Sequence, residues 1–340
     1  MIRFGIGRLF SGLVTAWVVV SATFFMVRLV PGDPATSMAP PTATPAQIDQ
    51  IRSYLGLGEP LWVQYGAFLN HLAHLDLGTS IRTNQPVLSD LLDRFPATIE
   101  LAVASILLEI LIAIPIGAIA AVKHNRPFDH ISRFASLIGV GIPVFWMAIM
   151  ALWLLAYKFP ILPLGGRLDI GVDLQRHTGF TVVDALIDGR PDLAVSGLKH
   201  LILPAVILAI PSMAFWTRLM RGSMLEVLGS DHVRTARAKG LSEPQVVRRH
   251  AVRNALNPVI TSLGLDLVAL LSGVIFIENV FAWPGVGNYI FGSIQTRDYP
   301  VVQGSVILIA LLYVTVNTIV DVVQAVLDPR IRPGLQGQPA

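Results

Sequence analysis

The sequence predicts an all-α membrane protein with six transmembrane helices, and three observations predict it. Only 14% of the 340 residues are charged and 53% are hydrophobic, whereas a soluble domain carries about 25% charged residues. The apolar residues gather in six blocks, each near the roughly 20 residues that cross a hydrocarbon core of about 30 Å as a helix. Lys and Arg collect between the blocks and divide unequally between the two sides, which is how orientation is written into a membrane chain. A pI of 9.4 with mean hydropathy +0.64 also occurs in nucleic-acid binders. Basic residues interleaved with apolar blocks build no DNA-facing patch, so the expected partner surface is the lipid bilayer and not nucleic acid.

The first block, about 9–29, follows Arg3 and Arg8. It is longer than the apolar core of a signal peptide and lacks a small-residue cleavage site, so it reads as a retained span. A polar outer segment covers 30–97. Within it, Thr44-Pro45-Ala46-Gln47 reads as a helix start with Pro near the first position. A second helix is expected from Leu61 to His74. Spans of about 98–122 and 134–157 come next. The Gly- and Asp-rich stretch 158–198 is expected to cap the outer mouth. Spans of about 199–217, 259–281 and 301–326 complete the set, with an inner loop at 218–257. The division is therefore tail and first span (1–29), outer segment (30–97), core (98–326) and tail (327–340). Pro115, Pro143, Pro204 and Pro211 fall inside spans. Each removes a helix hydrogen bond, which either is tolerated as membrane helices tolerate Pro or opens a central cavity.

With the N-terminus inside, fifteen Lys and Arg residues lie inside and nine outside, and only six outside once the long segment 30–97 is set aside. That asymmetry places both termini in the cytoplasm. Cys is absent, which removes disulfides, thiolate nucleophiles and Cys-ligated metals.

The inner loop is the most informative stretch. A first short helix is expected from Asp231 to Lys239, with Gly240 as its C-terminal cap. Ser242-Glu243-Pro244-Gln245 then reads as a capping box with Pro in the first turn. The second helix continues through Val246 to Asn254. Apolar knobs with basic rims suit either a plug for a groove on a partner or an amphipathic hairpin held by anionic lipid.

Here the sequence resembles a known family. Thr235-Ala236-Arg237-Ala238-Lys239-Gly240-Leu241-Ser242, followed by Arg249-His250-Ala251-Val252-Arg253-Asn254-Ala255-Leu256-Asn257-Pro258, resembles the coupling loop of ABC-importer permeases, specifically the dipeptide/oligopeptide/nickel branch. The resemblance covers nearly the whole chain. It includes Pro31-Gly32-Asp33-Pro34, Leu55-Gly56-Leu57, Asp76-Leu77-Gly78-Thr79-Ser80, Glu278-Asn279-Val280-Phe281-Ala282-Trp283-Pro284-Gly285, Arg297-Asp298-Tyr299-Pro300 and Leu327-Asp328-Pro329-Arg330. Arg234-Thr235-Ala236 departs from the general Glu-Ala-Ala start, and Val252-Arg253 from the general Leu-Pro; the peptide branch shares both departures. The resemblance implies a type I importer permease fold and a division of labour. A second homologous permease pairs with this one, two ABC ATPase subunits dock on the inner loop, and an extracytoplasmic solute-binding protein delivers the peptide substrate. It also implies a place in the bacterial inner membrane. Carried onto this chain, the ATPase-coupling residues are Thr235, Ala236, Arg237, Lys239, Gly240, Leu241, Arg249 and Asn254, with small side chains at 236 and 240 admitting close approach. Glutathione or nickel chelates are the alternative cargoes.

Three acids fall within spans: Glu109, Asp266 and Glu278. Intramembrane charge is costly and faces a bundle interior or an aqueous cavity. These acids therefore either line the translocation pathway or pair with a neighbouring helix. His71 and His74 stand three apart, yet no third His and no carboxylate is expected at ligand spacing, so no metal site is assigned. No Lys follows a Gly, no His precedes a Glu, and no Gly-x-Ser-x-Gly occurs. A phosphate loop, a His-Glu-x-x-His zinc site and a nucleophile elbow are thus absent. No cofactor or catalytic residue is expected, and nucleotide hydrolysis falls to partner subunits. An ion-coupled secondary transporter is the other class, but its internal repeat and larger span number are missing.

Overall fold

The computed structural model describes residues 2–29, 35–36, 39, 42–54 and 56–327. For 2–9, 27–29, 54, 261, 263–269, 271–273 and 319–327 it describes the backbone alone. Pro31 to Pro34, Leu55 and Asp328 onward, all part of the motifs above, lie outside the described residues. The described chain is helical, with one isolated β-bridge between Thr79 and Pro86. It divides into two compact units, residues 1–95 with 286–340 and residues 96–285.

In the first unit, the helix Ile2–Leu29 packs along Tyr299–Leu327. The two approach closely at Gly12, where a Cβ would meet Val314 at 2.7 Å. Small residues admit such contacts between membrane helices. Pro45–Tyr54 begins as expected, its Thr44 amide bonded to the Gln47 side chain at 2.8 Å. Leu61–Ala73 ends one residue short of the expected His74. Tyr65 and Phe68 of that helix gather around Phe24 with ring centroids 5.1 and 5.2 Å away. Val87, Leu91, Val286, Tyr289, Ile290 and Val301 form the apolar centre. Beside it, Asp90 accepts hydrogen bonds from Thr83 and Tyr289 at 2.5 and 2.6 Å. Two motifs 218 positions apart meet where Ser80 Oγ donates to Asp298 at 2.7 Å.

The second unit is built on the helix Pro191–Leu228, which begins eight residues before the expected span because Pro191 starts it at the first helical position. One core joins Leu101, Leu203, Ile207, Leu208, Ile277, Phe281 and Trp283. A second joins Ala113, Ala121, Trp216, Met220, Met224, Ala251, Ala255 and Val259. Gly117 sits so close to Thr217 that a Cβ there would meet its carbonyl oxygen at 2.6 Å.

The expected spans need one correction. Helices cover all six intervals, but three described helices are long and apolar enough to cross: Val87–Val122, Pro191–Leu228 and Tyr299–Thr318. The interval 134–157 is not one straight span. Pro127–Gly141 and Val144–Lys158 meet at a bend of 100°, and they make a fourth crossing if the bent pair counts as one. The cause is local: Pro143 forces Ile142 out of the helical region, to φ −95° and ψ 127°. In the first helix, Ile2–Leu29, the residues with described side chains form the apolar stretch Phe10–Met26. The other span prolines behave differently from Pro143. Pro115, Pro204 and Pro211 lie inside unbroken helices.

Candidate functional site

The basic loop folds into an elbow with two arms. Pro191–Leu228 stops at Gly229, and Ser230 in extended conformation precedes the first arm, Asp231–Ala238. Gly240 turns the chain at φ +79°, a conformation that costs a residue with a Cβ about 1–2 kcal/mol. Its amide reaches back to the Arg237 carbonyl at 2.9 Å, closing the arm. Ser242 and Gln245 form the expected capping box, with the Ser242 amide donating to the Gln245 side chain at 3.3 Å. The second arm begins there and differs from expectation in its length. Glu243–Gln245 passes without a gap into a π-helical segment, Val246–Ala251, and then into Val252–Val280. Arm and following span are one helical rod.

Two polar ties and a small apolar core fix the angle. Val233, Ala236 and Val246 are buried against one another, with Val227 and Leu228 beside them. Arg237 clamps Glu243 across the turn, Nη2 to Oε1 at 2.6 Å and Nε to Oε2 at 3.0 Å. The hydrogen bonds from the Arg237 guanidinium hold the Glu243 carboxyl below its ordinary range, and the same pairing raises Arg237. The Asn254 amide meets His232 Nε2 at 3.1 Å and donates to the His250 carbonyl at 3.0 Å.

The residues expected at the coupling contact are thereby gathered in one elbow, but not all on its surface. Arg237, Lys239, Gly240, Leu241, Arg249 and Asn254 are exposed. Thr235 is exposed too, its hydroxyl bonded to the Asp231 carbonyl of its own arm at 2.9 Å. Ala236 is 5% exposed. Its small side chain admits Val246 within the elbow. The sequence reading also passed over His232 as a tie and Glu243 as a clamp. An Arg and a Glu flanking a Gly turn were the available signal for the clamp.

The span acids lie on separate helices. Glu109 is fully buried on Val87–Val122. Asp266 is on Val252–Val280, with its side chain outside the described residues. Glu278 is fully buried and accepts a hydrogen bond from Thr98 Oγ1 at 2.6 Å. Gly285 packs directly on that carboxylate, so that any Cβ there would overlap it. Next to it, Trp283 donates its indole N–H to the Ala97 carbonyl at 2.8 Å. Arg167 reaches Glu100 at 2.5 Å and the Gly179 carbonyl at 2.7 Å, and its guanidinium lies 5.7 Å from the Trp283 ring centroid.

The histidine pair needs a second correction. A carboxylate does stand beside it: His71 Nδ1 and Asp76 Oδ2 are 2.8 Å apart, and Asp76 also accepts the Gly78 amide at 2.9 Å. His74 turns instead to the Asn70 carbonyl. Among the described residues, no group of three or more His, Cys, Asp or Glu could hold a metal ion.

Comparison with known proteins bears on the whole chain. The model of the binding-protein-dependent transport system inner membrane component matches residues 113–333, and that of its N-terminal region matches residues 1–102. The chain is 45% identical to the probable D,D-dipeptide transport system permease protein DdpB of Escherichia coli, over 95% of either chain. It is 42% identical to the dipeptide transport system permease protein DppB of Alkalihalophilus pseudofirmus, over 91% of this chain and 93% of that one. It is 40% identical to the di/tripeptide transport system permease protein DppB of Pseudomonas aeruginosa, over 98% and 99%.

Proposed function

The chain belongs to the binding-protein-dependent transport system inner membrane component family, and from that premise we propose that it is one permease subunit of an ATP-driven importer of di- or oligopeptides. It forms half of a translocation channel with a second, homologous permease. An extracytoplasmic binding protein hands solute to its outer side. Two separate ATPase subunits dock on the elbow, so this chain itself hydrolyses nothing. Both termini and the elbow lie on the cytoplasmic side of the inner membrane in this reading, which the Lys and Arg asymmetry supports. Peptide cargo is supported by the three relatives named above, each a transport permease for dipeptides or for di- and tripeptides.

One observation carries the coupling role. The second arm of the elbow runs unbroken into the helix that ends at Val280, so a push on the arm moves that helix. The absence of Cys makes the test clean. A single Leu241→Cys variant in the assembled complex should cross-link to an engineered Cys in the ATPase groove. Cross-linking to the binding protein instead, or to neither, overturns the reading. Among the acids, the Thr98 bond and the Gly285 backbone support a positioning role for Glu278. Glu109, fully buried, fits pairing within the bundle, and the lining role is proposed for Asp266. Asp266→Asn should lower uptake of peptides with a free amino terminus, and unchanged uptake removes Asp266 from the pathway.

A further inference from the structure

Between the helices Pro127–Gly141 and Pro191–Leu228 lies a cleft of about 540 Å3, lined by His130, Arg133, Phe134, Leu137, Arg218 and Arg221. The first four sit at i, i+3, i+4 and i+7 of one helix, a single face, and the last two at i and i+3 of the other. The floor of the cleft is electrically matched. Arg221 donates Nε and Nη2 to the two oxygens of Asp129 at 2.5 and 2.8 Å, and Asp129 is fully buried. Arg133 and Arg218 are not matched: both are exposed, and among the described residues neither forms an ion pair. Next to Arg133 and one helical turn beyond it, Phe134 and Leu137 are each 65% exposed. The cleft is thus cationic at one end and apolar at the other.

We propose that this cleft binds an anionic phospholipid, its phosphodiester between Arg133 and Arg218 and an acyl chain along Phe134 and Leu137. Two adjacent unpaired cations bordering hydrocarbon are costly unless an anion meets them. A basic pocket between membrane helices is suited to an anionic headgroup. The apolar end favours a lipid over a soluble phosphate, which would leave Phe134 and Leu137 uncovered. The cleft lies apart from the elbow, so this inference does not depend on the coupling role.

The test uses the full chain in its assembled complex, purified in a neutral detergent. Native mass spectrometry compares retention of phosphatidylglycerol with that of phosphatidylcholine. The wild type should retain phosphatidylglycerol preferentially. The double variant Arg133→Gln/Arg218→Gln should lose about thirty-fold of that preference, at roughly 1 kcal/mol for each charge. Arg133→Lys/Arg218→Lys should keep most of it, which separates charge from folding. Equal retention of both lipids by the wild type, or an unchanged preference in the Gln variant, overturns the proposal. So does displacement of the lipid by millimolar inorganic phosphate, which would mark a soluble-anion site, or burial of both arginines under another subunit with no lipid retained.

Discussion

Two arginine–carboxylate pairs in this molecule have nearly the same geometry and opposite surroundings. Arg167 and Glu100 meet at 2.5 Å with side chains 18% and 8% exposed. Arg237 and Glu243 meet at 2.6 Å with side chains 42% and 53% exposed. The first pair gave up its water and is held by the Gly179 carbonyl and the Val182 amide as well. The second keeps water on both sides. A buried pair that loses one member leaves a charge without solvent, whereas an exposed pair contributes little and breaks easily. The difference separates a tie that sets architecture from a tie that can open and close in a working cycle.

That contrast can be broken by experiment. The largest effect is expected at the buried pair. Arg167→Met should lower stability by about 3–5 kcal/mol, read as a fall in thermal unfolding temperature of the complex in detergent. A change as small as that of the elbow variants would erase the distinction. Gly240→Val comes next. The position is open, with no atom near a Cβ, so the cost is backbone strain from φ +79° and amounts to about 1–3 kcal/mol. Because the strain falls on the turn joining the arms, transport should fall while membrane insertion, measured by fractionation, stays unchanged. Asn254→Ala should cost about 1 kcal/mol and loosen the His232 contact, seen as faster amide exchange in Asp231–Ala238. The smallest effect belongs to Glu243→Gln, under about 1 kcal/mol and vanishing in high salt.

The exposed pair also sets a pH dependence. Glu243 is lowered from its ordinary value of 4.5 by Arg237. A depressed carboxyl contributes stability that is complete above the unfolded value and is lost as pH falls through the folded one. The clamp should therefore be intact above about pH 5 and weaken below its lowered value. The proximity of spin labels on the two arms, followed across pH 3 to 6, checks it. Loss of proximity beginning near pH 6 would contradict the sign.

What the sequence disclosed was local. Gly240 after a basic helix end and Ser242 three before Gln245 carry their geometry in a few adjacent residues, and both turned out as read. The Thr44 start followed the same logic. What the sequence did not disclose depends on tertiary packing. Whether Ala236 faces outward depends on Val246, ten positions away across a turn. Pro143 breaks a span by 100° while Pro115, Pro204 and Pro211 lie inside unbroken helices, and hydropathy does not tell them apart. Arg167 reaches Glu100 across 67 positions, and no periodicity or spacing pairs them. His71 finds Asp76 only because the chain reverses at Leu75, at φ 58°.

The π-helical segment Val246–Ala251 gives the rod a further property. At about 1.5 Å per residue, the helix from Glu243 to Val280 is about 55 Å long, so a tilt of about 5° at its basic end sweeps the other end by about 5 Å. A wide turn close to the pivot stores one surplus residue. Taking up or releasing that residue would rotate everything beyond it by about 100° without breaking the helical path. A lever with such a swivel near its fulcrum can twist as well as lean.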